Sequence, residues 1–378
     1  MRHYLDHAAS SPLVPEARAA MAEAFELVGN PASLHTSGRR ARSRLEDARE
    51  SIAQDLGADP AEVIFTSGGT EADNLAVHGG WAARRLIRPT VVASTIEHPG
   101  VLETVSAMGL RGADVRFCPV TARGDADAAW LAEHLDDTVG VASLMWVNNE
   151  TGVLQPVAEL AEHARRVGAW SHSDAVQATG HVPVSFHDSG LDLMSVSAHK
   201  VGGPVGIGAL LARRDAGVQA VQFGGGQERG IRSGTAMVAL AAGFAAALHR
   251  AVGFREEEST RLTGFRERLM RTAHALDGVQ VLGQEAEASP HIVNLHLAGA
   301  RADDVLMLLD QQGIDCSTGS ACTAGVSQPS HVASAMGLSE QESAETLRFS
   351  FGWSTTDGDV AALVDALPDA VRRARAAR

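Results

Sequence analysis

The chain has 378 residues, 45% of them hydrophobic and 21% charged, with a formal net charge of −14. That length leaves room for two domains with sizeable cores, and the acidic excess argues against a general nucleic-acid binder, which needs a basic surface. The longest uncharged apolar run, Ala236 to Leu248, falls short of the ~20 residues that span a bilayer and reads as a buried helix.

At the N-terminus, Met1-Arg-His-Tyr-Leu-Asp6 places charge ahead of any apolar run, so no secretory signal is expected and the chain reads as cytoplasmic. Strand-like and helix-like segments then alternate. Glu62 to Thr66 reads as a strand and Thr70 to Leu86 as a helix; Thr90 to Ser94 is a strand and His98 to Met108 a helix. Strands continue at Asp114 to Cys118, Val139 to Met145, Ala169 to His172 and Leu191 to Val196, with helices near Ala126 to Leu135 and Pro156 to Val167. Such alternation implies crossover units and a mostly parallel sheet covered on both faces. Ligands bind such sheets at the carboxyl ends of the strands. After about Gly253 the pattern changes to a charged helix (Arg255 to Leu276), short strands at Val279 to Leu282 and His291 to Leu297, a helix at Ala302 to Gln311, a strand at Thr346 to Phe351 and a last helix from Asp357. The expectation is a large α/β domain over 14–253 and a smaller α+β domain formed by 1–13 and 254–378.

The stretch Ser195-Val-Ser-Ala-His-Lys-Val-Gly-Gly-Pro204 carries most information. An apolar strand delivers Lys200 to a turn, followed by glycines that allow close approach. An amine in a partly buried site loses solvation of its charged form, its pKa falls, and it can add to a carbonyl as a Schiff base. Pyridoxal phosphate (PLP) is the common aldehyde partner, and Ser197 and His199 are placed for its phosphate. The bland alternative is a loop lysine beside a tight turn.

Thr66-Ser-Gly-Gly-Thr70 lies between a strand and a helix, where free N–H groups and the helix dipole make an anion site, or simply a capped helix. Asp174, in His172-Ser-Asp-Ala-Val-Gln177, either keeps a pyridine nitrogen protonated or caps a helix. His98 either stacks on a flat cofactor or serves the fold. Asn149, in Asn148-Asn-Glu-Thr-Gly152, suits a ligand loop or any turn. Arg348, a cation inside an alternating strand, is either paired or waiting for a carboxylate.

The three cysteines, Cys118, Cys316 and Cys322, are too few and odd in number for a disulfide framework. Cys322 lies in a small, polar, glycine-bearing segment and reads as a reactive, accessible thiol. Cys118, in an apolar run, and Cys316 read as inert. No paired His or Cys spacing reads as a metal site, so none is expected.

Taken in this order, these residues resemble the class I cysteine desulfurases, the NifS- and IscS-like PLP enzymes. The resemblance covers essentially the whole chain, through Tyr4-Leu-Asp-His-Ala-Ala-Ser-Ser-Pro12, Gly29-Asn-Pro-Ala-Ser33, Ser67-Gly-Gly-Thr-Glu-Ala-Asp-Asn74, Val147-Asn-Asn-Glu-Thr-Gly152, Ser197-Ala-His-Lys200, Gly224 to Thr235, Gly319-Ser-Ala-Cys322 and Leu347-Arg-Phe-Ser350. It implies a fold-type I, aspartate aminotransferase-like PLP homodimer that converts L-cysteine to L-alanine and leaves sulfane sulfur on the enzyme. By that resemblance Lys200 would bind PLP, and His98 would stack on the ring and shuttle protons. Asp174 would meet the ring nitrogen and Gln177 the ring hydroxyl. Thr70, Ser197 and His199 would hold the phosphate, joined by Thr235 from the partner subunit. Asn149 and Arg348 would bind the substrate carboxylate, and Cys322 would take the sulfur as a persulfide and pass it to a sulfur-acceptor protein, a scaffold or a thiolation enzyme. Val205, where some relatives have lysine, and Trp353, where the family often has arginine, depart from the family pattern; the first is not expected to touch this chemistry. The chain ends at Arg378, without the longer tail by which some relatives contact an iron–sulfur scaffold, so the acceptor stays open among iron–sulfur assembly, tRNA thiolation, DNA sulfur modification and biosynthesis. Two rivals remain: another fold-type I PLP enzyme, which would not need Cys322, and a non-catalytic sulfur carrier, which would not need Lys200.

Overall fold

The computed structural model describes residues 2–319 and 328–377. Its strands in chain order are β1 (His3–Tyr4), β2 (Val63–Thr66), β3 (Thr90–Ser94), β4 (Asp114–Cys118), β5 (Val139–Ser143), β6 (Trp170–Asp174), β7 (Leu193–Ser197), β8 (Gly208–Ala212), β9 (Val279–Val281), β10 (Ile292–Leu297), β11 (Ile314–Asp315) and β12 (Thr346–Ser350). Among the described residues, seven strands make one sheet in the order β2-β8-β7-β6-β5-β3-β4. The neighbours from β7 to β4 pair in parallel, and β8 runs antiparallel to both β2 and β7. β2, β3, β5, β7 and β8 are buried along their whole length, as expected of strands covered by helices on both faces.

The crossover helices form where the apolar period and end signals require. The helix Pro99–Gly109 starts with Pro99 at its first turn, where the missing N–H costs nothing, and His98 caps it. The helix Val157–Val167 stops at Gly168 in the left-handed conformation. The expected helix from Thr70 begins at Gly69 and runs to Arg84, with a π turn over Leu75–Gly79.

Three of the larger elements have no counterpart in the sequence reading. Helices occur at Pro15–Phe25 and Thr36–Asp55, and strand β8 lies beyond the glycine-rich turn. Pro15–Phe25 and Thr36–Asp55 both pack on the alanine-rich helix Val238–Gly253. A Cβ at Gly243 would lie 2.5 Å from Met21 Cγ, so the first helix approaches that closely.

A main apolar core links these helices to the sheet, from Val14 to Leu248. A second is built from Leu5 and from residues between Leu262 and Ala374. In it, β10 pairs antiparallel with β9 and β12, and β1 pairs parallel with β11. An isolated bridge between Ser317 and Arg348 ties the chain following β11 to β12. Asp6 forms a parallel bridge with Ser350, and the Ser11 N–H donates to the His199 carbonyl at 2.8 Å, so the N-terminal segment joins β12 to the large sheet's carboxyl edge.

Candidate active site

A cavity of about 400 Å³ opens at the carboxyl ends of the parallel strands. Each strand end delivers one part of it: β2 leads to Thr70, β3 to His98, β5 to Asn149, β6 to Asp174 and Gln177, and β7 to Ser197, His199 and Lys200. Arg348 enters from β12. Nine of the residues expected at the site therefore line one cavity, although they are spread over Thr70 to Arg348 in sequence.

Lys200 ends a single 3₁₀ turn directly after β7. Its Nζ donates to the carbonyls of Ala8, at 2.5 Å, and Ala9, at 2.9 Å. Burial, helped by the Arg348 cation, pushes the amine down to about 8, against the opposing pull of Asp174 and Asp6. Asp174 is the last residue of β6 and accepts from the Val176 N–H at 2.9 Å. Burial raises its carboxyl, and His98 and Lys200 draw it back down. His98 Nδ1 accepts from the Gly100 N–H at 3.0 Å, which leaves the proton of the neutral ring on Nε2. Burial lowers this imidazole too, so the neutral ring prevails.

On one side of the cavity the Gly69–Asn74 helix begins, with Gly68 at φ 156°. A Cβ on Gly208 would sit 2.9 Å from the Gly68 Cα, so β8 passes directly beneath this turn. Ser197 Oγ is buried with no hydrogen-bond partner among the described residues. His199 Nδ1 lies 3.3 Å from Ser10 Oγ, and burial lowers that ring to about 4. A helix start, a spare hydroxyl and a neutral imidazole form a cradle for an anion, and Lys200 and Asp174 line the same cavity. These residues fit PLP: an amine for its aldehyde, a carboxylate for its ring nitrogen and donors for its phosphate.

In the same cavity, Arg348 donates from Nη1 to the Asn149 carbonyl at 2.8 Å and from Nη2 to Asp6 Oδ1 at 3.0 Å. Its Nε, and Asn149 Oδ1, are buried without partners among the described residues. This end can take a carboxylate. Asn148 builds the loop, accepting on Oδ1 from the Glu150 and Thr151 N–H groups.

One expected residue among those described lies apart from this cavity. Thr235 lines a separate cavity of about 580 Å³ with Asn30, Arg42 and Glu228. Cys322 lies outside the described residues. Ser317 and Gly319, just before it, line the Lys200 cavity. Burial raises the Cys118 thiol to about 12 and raises that of Cys316 further still, so both are poor thiolates at neutral pH.

A buried polar layer behind the cavity was missed. Glu97, fully buried, accepts from Ser94 Oγ at 2.7 Å and from the Met145 N–H at 2.8 Å, and burial raises its carboxyl to about 7. His172 bridges Ser143 Oγ and Ser195 Oγ, each at 2.9 Å, and Asp73 lies 3.8 Å from its Nε2. Trp170-Ser-His-Ser-Asp174 has neither an apolar run nor an alternation that would mark these residues as buried.

The aminotransferase class-V family matches residues 3–363. An IscS-like cysteine desulfurase of Mycobacterium tuberculosis is 49% identical over 383 residues, covering 99% of this chain and 97% of the relative. A solved NifS-like protein superposes with a TM-score of 0.92 at 29% identity, over 99% of this chain and 100% of the other. The solved structure of SspA in complex with cysteine gives a TM-score of 0.81 at 30% identity, over 93% and 99%.

Proposed function

The chain belongs to the cysteine desulfurases, a PLP-dependent branch of the class-V aminotransferase family, and we propose that the Lys200 cavity is where it turns L-cysteine into L-alanine and enzyme-bound sulfur. When bound, PLP supplies an aldehyde that condenses with amines and a ring that withdraws electrons from the substrate α-carbon. The remaining roles belong to the chain. The observation that carries the assignment is Lys200: an amine lowered to about 8, at a strand end, sharing one cavity with Asp174, His98 and the spare Ser197 hydroxyl.

Lys200 presents a largely neutral amine at mildly alkaline pH, able to attack a carbonyl and later to carry the α-proton. Asp174 would pair with the ring nitrogen, His98 would cover the ring and exchange a proton through Nε2, and Thr70, Ser197 and His199 would hold the phosphate. Gln177 would meet the ring hydroxyl. Arg348 and Asn149 orient the substrate carboxylate, which places the cysteine side chain away from them. Cys322 attacks the substrate sulfur as a thiolate. The new S–S bond forms as the substrate Cβ–S bond breaks, and the electron pair left on carbon is protonated to give alanine. The persulfide then passes its outer sulfur to an acceptor protein, a scaffold or a thiolation enzyme.

The unit made of 1–13 and 254–378, which has its own core, acts as a small domain carrying the Cys322 segment over the 14–253 unit. The protein works as a homodimer, in which Thr235 completes the neighbour's phosphate site; its separate cavity and the exposed Phe223 and Met237 on the same stretch of chain support this. No helix among the described residues is long and apolar enough to cross a membrane. A cytoplasmic setting agrees with the free thiols of Cys118 and Cys316, and the net charge of −14 disfavours direct nucleic-acid binding.

Borohydride reduction of the PLP-loaded protein, followed by peptide mapping, tests the assignment. The expected result is a single pyridoxyl group on Lys200, absent from Lys200→Ala. A label at another residue overturns it.

A further inference from the structure

Behind Gln177 lies a buried polar chain that the reaction scheme leaves unused. Gln177 Nε2 donates to the Ala8 carbonyl at 2.8 Å, and Gln177 Oε1 lies 3.2 Å from His291 Nε2. Ser289 Oγ lies 2.5 Å from His291 Nδ1. Gln177, His291 and Ser289 are all buried, His291 and Ser289 completely. The imidazole of His181 stacks on His291 with ring centroids 3.7 Å apart and planes 5° from parallel, and it bonds to the backbone of Lys200.

Every proton in this chain is determined by one atom. A carbonyl only accepts, so the Ala8 oxygen must face the amide nitrogen of Gln177. The amide oxygen then faces His291 Nε2, which must carry a hydrogen. In the neutral ring Nδ1 is therefore bare and accepts from the Ser289 hydroxyl. Burial and the neighbouring His181, His7, Arg348 and Lys200 all hold His291 neutral. One amide hydrogen of Gln177 is used on Ala8. The second remains for the cavity that Gln177 lines.

We infer that His291, oriented by Ser289, is a positioning residue that locks the Gln177 amide so that it offers the cavity an N–H and not a carbonyl. This rests on the reading that Gln177 faces the PLP ring hydroxyl. A flipped amide would set a lone pair against that oxygen and another against the Ala8 carbonyl, while the locked amide donates to both.

The test is a double-mutant cycle on the full-length protein, read by the PLP dissociation constant and by the pH midpoint of the visible band of bound PLP. His291→Phe keeps a ring against His181 and removes the Nε2 hydrogen together with the Nδ1 acceptor of Ser289. A Ser289→Ala/His291→Phe protein repeats the test without a stranded hydroxyl. Either is expected to weaken PLP binding by about three- to tenfold, the effect of one net hydrogen bond, and to move the band midpoint in the direction that Gln177→Ala moves it. In a Gln177→Ala background, His291→Phe should add nothing, because it acts only through that amide. Unchanged PLP affinity and band in both His291 variants, with Gln177→Ala altering them, overturns the lock. Full additivity with Gln177→Ala also overturns it. If Gln177→Ala itself changes neither quantity, the placement of Gln177 on the cofactor fails and the lock falls with it.

Discussion

Arg348 on β12 and Asp6 in the N-terminal segment form an ion pair of 3.0 Å at the cavity, with the arginine side chain only 5% exposed. The pair holds the guanidinium still while its Nε remains unused. A planar fork of this kind matches a carboxylate, which an ammonium cannot do with the same geometry. Arg348→Lys should therefore raise KM for L-cysteine about tenfold or more, the effect of a lost charge-assisted bond, and leave bound PLP spectrally unchanged. Alanine formation at varied cysteine checks this; an unchanged KM would remove Arg348 from substrate binding.

Lys200 gives a pH prediction. The amine must be neutral to capture PLP, and its value is lowered to about 8. The rate at which apoprotein takes up PLP should rise with pH up to about 8 and then level off. An exposed lysine, near ~10.4, would give a rate still climbing at pH 10. Stopped-flow uptake across that range separates the two.

Glu97 gives a prediction of opposite sign for stability. Its carboxyl is raised from 4.5 to about 7 by burial. The folded protein thus binds this proton more tightly than the unfolded chain, and stability falls as pH rises from 4.5 through about 7. The loss is on the order of 3 kcal/mol over that window. Glu97→Gln, whose amide oxygen can still accept from the Met145 N–H, should flatten the dependence. Chemical denaturation of both proteins at pH 5 and pH 7.5 measures it, and parallel pH curves would refute it.

Phe223, 86% exposed, and Met237, 57% exposed, lie on the segment that carries Thr235. Phe223→Asp should give the light-scattering mass of one chain and weaken PLP binding with it. A variant that becomes monomeric yet keeps full PLP affinity would show that no partner residue completes the site.

The alternation of strands and helices was legible because buried parallel strands read as continuous apolar runs. The expected span of buried β3 coincides with the observed one, and so does that of β4, an edge strand whose Asp-Val-Arg-Phe-Cys alternates instead. Strand β8 was not legible: its alanines and leucines follow Gly202 to Gly208, and a glycine-rich start hides a strand. β6 was expected to end at His172 and runs on to Asp174, since Ser-His-Ser-Asp carries no apolar signal even though these residues are buried. The same blindness applies to Glu97 and His291. Each is a polar residue whose burial depends on distant partners, Met145 for Glu97 and Gln177 for His291, and no local pattern announces it. Lys200, Asp174 and Thr70 were legible because strand-end chemistry is local. Their convergence with Arg348 depends on β12 meeting the N-terminal segment.

The most direct measurement is the position of the sulfur after one turnover. Wild-type protein loaded with PLP is mixed with L-cysteine without reductant, alkylated, digested and mapped by mass spectrometry, and the alanine formed is counted. The expected result is a persulfide on Cys322, with one alanine for each, while Cys322→Ala keeps its PLP and yields neither. Persulfide on Cys316, or sustained alanine formation by Cys322→Ala, would contradict the account.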